Sequence, residues 1–443
     1  MKELSKMGKK SMEVQIPIGP IYLNGNLDIP EGAKGIVVSL ATAAAKDAVG
    51  GTPKKIKVLI DKDTCIGSSA VVTPGTTFRG VYEPAALGAL YGDSKLGLEV
   101  LKDMGPIDEE TIRAYTKENV TINIDWDFKG IGIYVEAFVE TENGEGHAII
   151  AKAHNNIVLM EANGKVLKKD ESYKKEEYNF GEKDAIRNYG VKDFYDFAKN
   201  VDTEKLDFLK EAIKLNSKLA EAGLNEEMGA KFGVGFKNIE GNQVYLKAKM
   251  LAAAASDARM SGKNLSAMSC ATSGNVGITA SVPLIAVAEG YGRSEEDLIR
   301  ALSLSYLLAI HVKSHIGRLS ALCACSIAAG IGIAAATSFL IDKDNYEKIE
   351  MSIKSHVGSM AGVLCDGAKY GCALKLSSAV GVAVESAMLA NMGICIPDRD
   401  GLVCETADET IAMIGRIASR GMLETDEYLS REIFERENRL DNR

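Results

Sequence analysis

Three cysteines stand in an apolar, small-residue setting where thiol chemistry is the first thing to test. Cys323 lies in the run Gly317-Arg318-Leu319-Ser320-Ala321-Leu322-Cys323-Ala324-Cys325. Cys365 and Cys372 lie in Leu364-Cys365-Asp366-Gly367-Ala368-Lys369-Tyr370-Gly371-Cys372-Ala373-Leu374-Lys375. The spacings leave 41 residues between Cys323 and Cys365 and 6 between Cys365 and Cys372. Thiolates gathered this way are the ligands of iron–sulfur clusters, and three of them leave one iron without a protein ligand. Such an iron can act as a Lewis acid toward a hydroxyl or thiol that must depart. The same spacing is equally compatible with buried cysteines that pack as small hydrophobes, because no tight CxxC pair is present.

Two flanking stretches carry complementary chemistry. Ser269 to Ser281 is rich in hydroxyls and glycine and precedes a helix. Its Ser273-Gly274-Asn275 could present backbone N–H groups to a carboxylate, or could simply connect two elements. Lys313-Ser314-His315-Ile316-Gly317-Arg318 supplies cations, among them Lys313 and Arg318. They could clamp a carboxylate, or in the case of Lys313 could answer a helix C-terminus.

The elements that must hold these residues divide in two. A chain of 443 residues exceeds the size one core usually serves. Residues 13–165 read as a mixed α/β domain. Its signals are a helix over Lys34–Val49 stopped by Gly50-Gly51, a strand at Ile56–Ile60 and short helices at Glu83–Leu90 and Leu96–Met104. Strands follow between Val120 and Glu161, and Asn163-Gly164 is a hairpin turn. His154 sits at a strand junction. The charge-dense 166–200 reads as a linker or exposed hairpin. Residues 201–443 read as a larger all-α domain, with helices at Gln243–Met260, Pro283–Gly290, Ser294–His311, Leu376–Met392 and Asp408–Ala418. The expected class is α+β.

Composition removes several functions. A net charge of −9, with no dense Lys/Arg patch interleaved with aromatics, argues against nucleic acid as a partner. Eight cysteines are few for a disulfide scaffold of this length, and Met1–Met12 has no apolar run behind its lysines. The uncharged Leu319–Ile341 is long enough to span a bilayer. It is nevertheless mostly Ala, Gly, Ser and Cys, which suits a buried helical core. The expectation is a cytoplasmic protein with reduced thiols, no membrane span, and either a monomer or a homo-oligomer.

Ser273-Gly274-Asn275-x-Gly277-Ile278-Thr279-Ala280, Gly317 to Cys323 and Cys365 to Lys375 closely resemble the L-cysteine desulfidase family, which belongs with the iron–sulfur L-serine dehydratase alpha-domain proteins. The resemblance runs from about residue 36 onward. It takes in Pro74-Gly75-Thr76, Ala85 to Leu90 and His154 to Val158, which adds Thr76 and His154 to the candidate substrate contacts. It implies a 4Fe–4S cluster on Cys323, Cys365 and Cys372, with Cys325 as a neighbour. It also implies α,β-elimination from a small L-amino acid, by default L-cysteine, yielding pyruvate, ammonia and hydrogen sulfide. The alternatives are dehydration of L-serine or another 3-hydroxy acid, and cluster binding without lyase activity. One departure bears on the mechanism. The Gly-Cys-Thr-Glu-Pro motif whose cysteine serves that family as proton acceptor is absent, the matching residues being Gly32 to Val37. Lys34 and Cys65 are the candidates left for that role.

Overall fold

The structure is a computed structural model. It describes residues 12–16, 19–23, 27–28, 33–128, 133–152, 154–173, 185–226, 228–263, 265–271, 273–317 and 320–441. In chain order the strands are β1 (Met12–Ile16), β2 (Gly19–Leu23), β3 (Leu27–Asp28), β4 (Lys55–Asp61), β5 (Val120–Asp125), β6 (Tyr134–Thr141), β7 (Gly144–Ala151), β8 (Ile157–Ala162), β9 (Lys165–Lys169) and β10 (Ala267–Met268). The helices of the first half are α1 (Ala33–Val49), α2 (Lys62–Ser68), α3 (Tyr82–Tyr91) and α4 (Glu109–Asn119). The second half holds α5 (Val191–Asn200), α6 (Phe208–Asn225), α7 (Phe232–Phe236), α8 (Gln243–Met260), α9 (Gly274–Gly290), α10 (Glu295–Ile316), α11 (Gly330–Ile341), α12 (Tyr346–Met360), α13 (Cys372–Asn391), α14 (Ala407–Arg416) and α15 (Leu423–Asp441).

The first half is built on a six-stranded sheet of order β5-β4-β6-β7-β8-β9, in which only β4 and β5 run parallel. Ile56, Val58 and Ile60 alternate with exposed Lys55 and Lys57, so β4 offers one face to the core. That face is covered by α1, which packs on β6, β7 and β8. Gly146 permits the approach, since a Cβ there would stand 1.9 Å from the Ala45 carbonyl oxygen. Asn163 and Gly164 both have positive φ and close the β8–β9 hairpin, as expected. The expected helix over Leu96–Met104 is instead a 3₁₀ turn at Ser94–Glu99, because Gly97 leaves the helical region at φ 59°.

The second half is a helical body in which α8 packs against α6, α9 and α13, and α11 against α10, α12 and α13. Segment 166–200 is folded at both ends: it supplies the edge strand β9 and the helix α5, whose Val191 and Phe194 are fully buried. Helix α9 starts nine residues before Pro283 and carries that proline inside it, so the proline marks no helix start. Helix α13 is apolar and long enough to cross a bilayer, yet 56% of its most apolar window is buried among its neighbours. Two features tie the halves together. Strand β3 pairs with β10, and α15 returns to the first half, where Arg431 stacks 4.3 Å from the Trp126 ring centroid and Lys62 bonds Asp426.

Candidate functional site

Two cysteine-bearing segments are joined by backbone. Leu322 and Leu364 form an isolated antiparallel bridge: Cys323 N–H donates to Val363 at 2.8 Å and Cys365 N–H to Ala321 at 2.7 Å. Cys323 is buried and Cys365 exposed, while Cys325 and Cys372 are half-buried. Cys372 starts α13, and Lys375 one turn later lies on the same face. The Lys375 Nζ donates to the Leu364 carbonyl at 2.8 Å and to Asp366, which also bonds Lys369.

The electrostatics single out Cys323. The Cys325 thiol donates to it, outweighing burial, and with Ser326 and the Lys375 charge holds the Cys323 thiol down at about 6. Cys325 is pushed the other way, by that same hydrogen bond, by burial and by the other thiolates. Burial, with the charges of Cys323 and Cys365, raises Cys372 to about 12 against the pull of Lys369. Burial opposes the Lys375 charge, but Asp366 and the thiolates more than restore it. The four cysteines thus share one field.

The donors fit a thiolate-ligated group. Among the described residues no three His, Cys, Asp or Glu side chains surround one point as a single metal ion requires. A cluster is ligated at separate irons, so its cysteines stand farther apart, and soft thiolates are the donor set it uses.

The anion-binding turn lies alongside. Ser273 caps α9, its Oγ accepting from Val276 N–H at 3.4 Å, and Cys270 and Ser273 close the preceding turn by a reciprocal pair. Ile278 and Val282, one and two turns into α9, pack with Cys325 and Cys372. Gly274 lies against a residue the sequence reading passed over. Arg259 is 2% exposed, and a Cβ on Gly274 would stand 2.1 Å from its guanidinium carbon. Its Nη1 donates to Asn275 Oδ1 at 3.3 Å. A guanidinium buried at the positive end of a helix is favoured when an anion sits there. Lys313 is 6% exposed, and its charge acts on the Cys270 thiol behind this turn. Arg318 lies outside the described residues.

The first half covers this region. Gly367, between the two cysteines and at φ +85°, meets α2, where a Cβ would be 2.5 Å from the Ile66 carbonyl oxygen. Arg79 lies 4.9 Å from the Tyr370 ring centroid, and the Val72 carbonyl oxygen is 3.5 Å from a Cβ on Gly262, just past α8. Segment 62–80 therefore contacts both the cysteine loop and the α8–α9 side. Thr76 belongs to this segment, but its hydroxyl serves the turn itself, donating to Thr73 and accepting from Phe78 N–H. His154 is half-buried in the β7–β8 connection. That connection shares a sheet end with α2, since Asp61 at the end of β4 accepts from Tyr134 N–H at 2.7 Å and Tyr134 pairs with Ala151. Cys65 is buried in α2, and burial with the Asp61 charge pushes its thiol up to about 12. Lys34 lies on α1, its side chain outside the described residues.

The sequence profile of the serine dehydratase alpha chain family matches residues 95–429, the region that holds all four cysteines and both flanking motifs. The chain belongs to that family. It is also 35% identical over 404 residues to a UPF0597 protein of Clostridium tetani, covering 91% of this chain and 94% of that protein. A UPF0597 protein of Caldanaerobacter subterraneus is 36% identical over 393 residues, 88% of this chain and 92% of its own. One of Bacteroides fragilis is 35% identical over 405 residues, with 88% and 91% covered. Membership makes this a dehydratase-type lyase in its general class. Of the residues passed over at the sequence level, Lys375 was accessible, being three residues after Cys372 in a helix. Arg259 carried no such signal, because its partner lies on another helix.

Proposed function

We propose that the protein binds a 4Fe–4S cluster through Cys323, Cys365 and Cys372 and catalyses α,β-elimination from a small L-amino acid, with L-cysteine as substrate. The observation that carries this is the backbone bridge that sets Cys323 and Cys365 side by side, with Cys372 and Lys375 in the same field. When bound, the cluster supplies Lewis-acid assistance to the departing β-group. The Lys375 charge helps hold Cys323 ionised, and Lys369 draws Cys372 down against its burial. Arg259 and the Ser273 turn receive the substrate carboxylate. Segment 62–80 packs against the cysteine loop and braces it. The α-proton and the β-thiol leave the substrate, and water converts the resulting aminoacrylate to pyruvate and ammonia. Cys65, protonated at neutral pH, is a poor proton acceptor.

The family match favours a second reading in which the leaving group is the hydroxyl of L-serine. Anaerobic purification with iron and sulfide analysis, followed by parallel assays of L-cysteine, L-serine and L-threonine, separates the readings. The expected result is a brown protein that forms pyruvate and sulfide from L-cysteine. Cys323→Ala, Cys365→Ala and Cys372→Ala should each lose iron, and Cys325→Ala should keep it. Turnover of serine alone selects the second reading, and iron without turnover makes the protein a cluster carrier. A protein that stays colourless after anaerobic reconstitution refutes all three.

A further inference from the structure

A cavity of about 240 Å³ lies beside the C-terminal end of α10, lined by Arg187, His315, Gly415, Arg416, Ser419 and Arg420. Three separate pieces of chain build it: the 3₁₀ turn Ala185–Asn188, the last turn of α10, and α14 with the π-helical turn Ile417–Gly421. A π turn inserts a residue into a helix and often marks a functional position. No carboxylate lines the cavity, and among the described residues none of the three guanidiniums is paired with one. The Arg187 Nε is buried and makes no hydrogen bond. Its Nη2 donates to His315 Nδ1 at 3.2 Å, so the imidazole acts as acceptor and is neutral. Burial and the charges of Arg187 and Arg416 hold it so, its pKa lowered to about 4.

The sum is three positive charges around one small space in a chain whose net charge is −9. Cations at a helix C-terminus are ordinary, but a helix end offsets only about half an elementary charge. Arg416 and Arg420, at the end of α14, fit that account, whereas Arg187 comes from a different element and faces them. Like charges gathered without counter-ions repel one another, and an anion between them removes that cost. Guanidinium forks match paired oxygens.

We propose that this cavity is a second ligand site, separate from the cysteines, for a small oxyanion carrying at least two negative charges. A phosphate monoester and a dicarboxylate share that chemistry. Inorganic phosphate and succinate serve as probes, titrated calorimetrically into the anaerobically purified full chain at constant ionic strength. The expected result is saturable binding of at least one probe, one per chain. Stronger binding of phosphate identifies a phosphoryl ligand, and stronger binding of succinate a dicarboxylate. The double variant Arg416→Gln/Arg420→Gln alters two exposed side chains, so the fold should persist. It should weaken binding about tenfold or more, the scale of lost charge-assisted hydrogen bonds. Arg187→Lys keeps the charge, loses the fork and should fall between. The proposal is overturned by no saturable binding, by an equal response to matched sodium chloride, or by unchanged affinity in the double variant. Competition by L-cysteine or L-serine would overturn the separateness of the site.

Discussion

Replacing Gly367 by alanine tests whether the docking of the cysteine loop on the first half holds the site together. Gly367 has φ +85°, where an L-residue pays about 1–2 kcal/mol. The new Cβ would also stand 2.5 Å from the Ile66 carbonyl oxygen, well inside contact distance and against backbone that cannot swing aside. Relieving such a clash by shifting the loop costs about 1–3 kcal/mol more. The total, about 2–5 kcal/mol, falls on the segment between Cys365 and Cys372. Global melting is a poor detector, because in a chain this long each kcal/mol moves Tm by only about 1 °C. Iron per chain after anaerobic reconstitution is the better assay, with Gly362→Ala as control, since a Cβ there meets nothing within 4 Å. Gly367→Ala should retain well under half the iron of the control. Equal iron in both variants would refute the claim that this contact positions the thiolates.

Arg259→Met removes the buried guanidinium with little change of length. It should raise KM for the amino-acid substrate about tenfold or more with a smaller change in kcat; an unaltered KM in a folded variant would remove Arg259 from the carboxylate site. Ser273→Ala should cost only about 0.5–1 kcal/mol in denaturant unfolding, the low end for a cap, because its hydrogen bond is long at 3.4 Å. His356 is fully buried, its Nε2 donating to the Ser326 carbonyl at 2.8 Å, and burial lowers its pKa to about 4. The unfolded chain therefore takes up a proton below about 6.5 that the folded chain refuses, and stability is lost as pH falls toward 4. His356→Asn keeps a donor without titrating, so its stability relative to wild type should rise by up to about 1.4 kcal/mol per pH unit over that window. The buried carboxylates Asp61 and Asp257, whose pKa values are raised to about 6, cancel in this difference; parallel profiles would refute it.

What could be read in advance was what is local. The cysteines of the run Cys365 to Lys375 stand within one short stretch, although the helix begins at Cys372 and not at Leu376, and the hairpin at Asn163-Gly164 is written in two residues. Within segment 166–200 helix α5 escapes a sequence reading because charge outweighs apolar residues there, although Val191, Phe194 and Ala198 have the spacing of a buried helix face. Pro283 was read as a helix start when neighbouring helices hold it inside one. Arg259 beside Gly274, and Ile66 against Gly367, are contacts between elements far apart in the chain. They arise from packing and leave no pattern in either stretch alone.

The return of α15 to the first half has an optical consequence. Trp126 is the only tryptophan in the chain, and it lies between Arg431 and Phe434, whose ring centroid is 6.0 Å away. Its emission is therefore a built-in gauge of whether the last helix is seated. A stopped-flow trace of that single fluorophore can time the final clasping of the chain separately from the folding of either core.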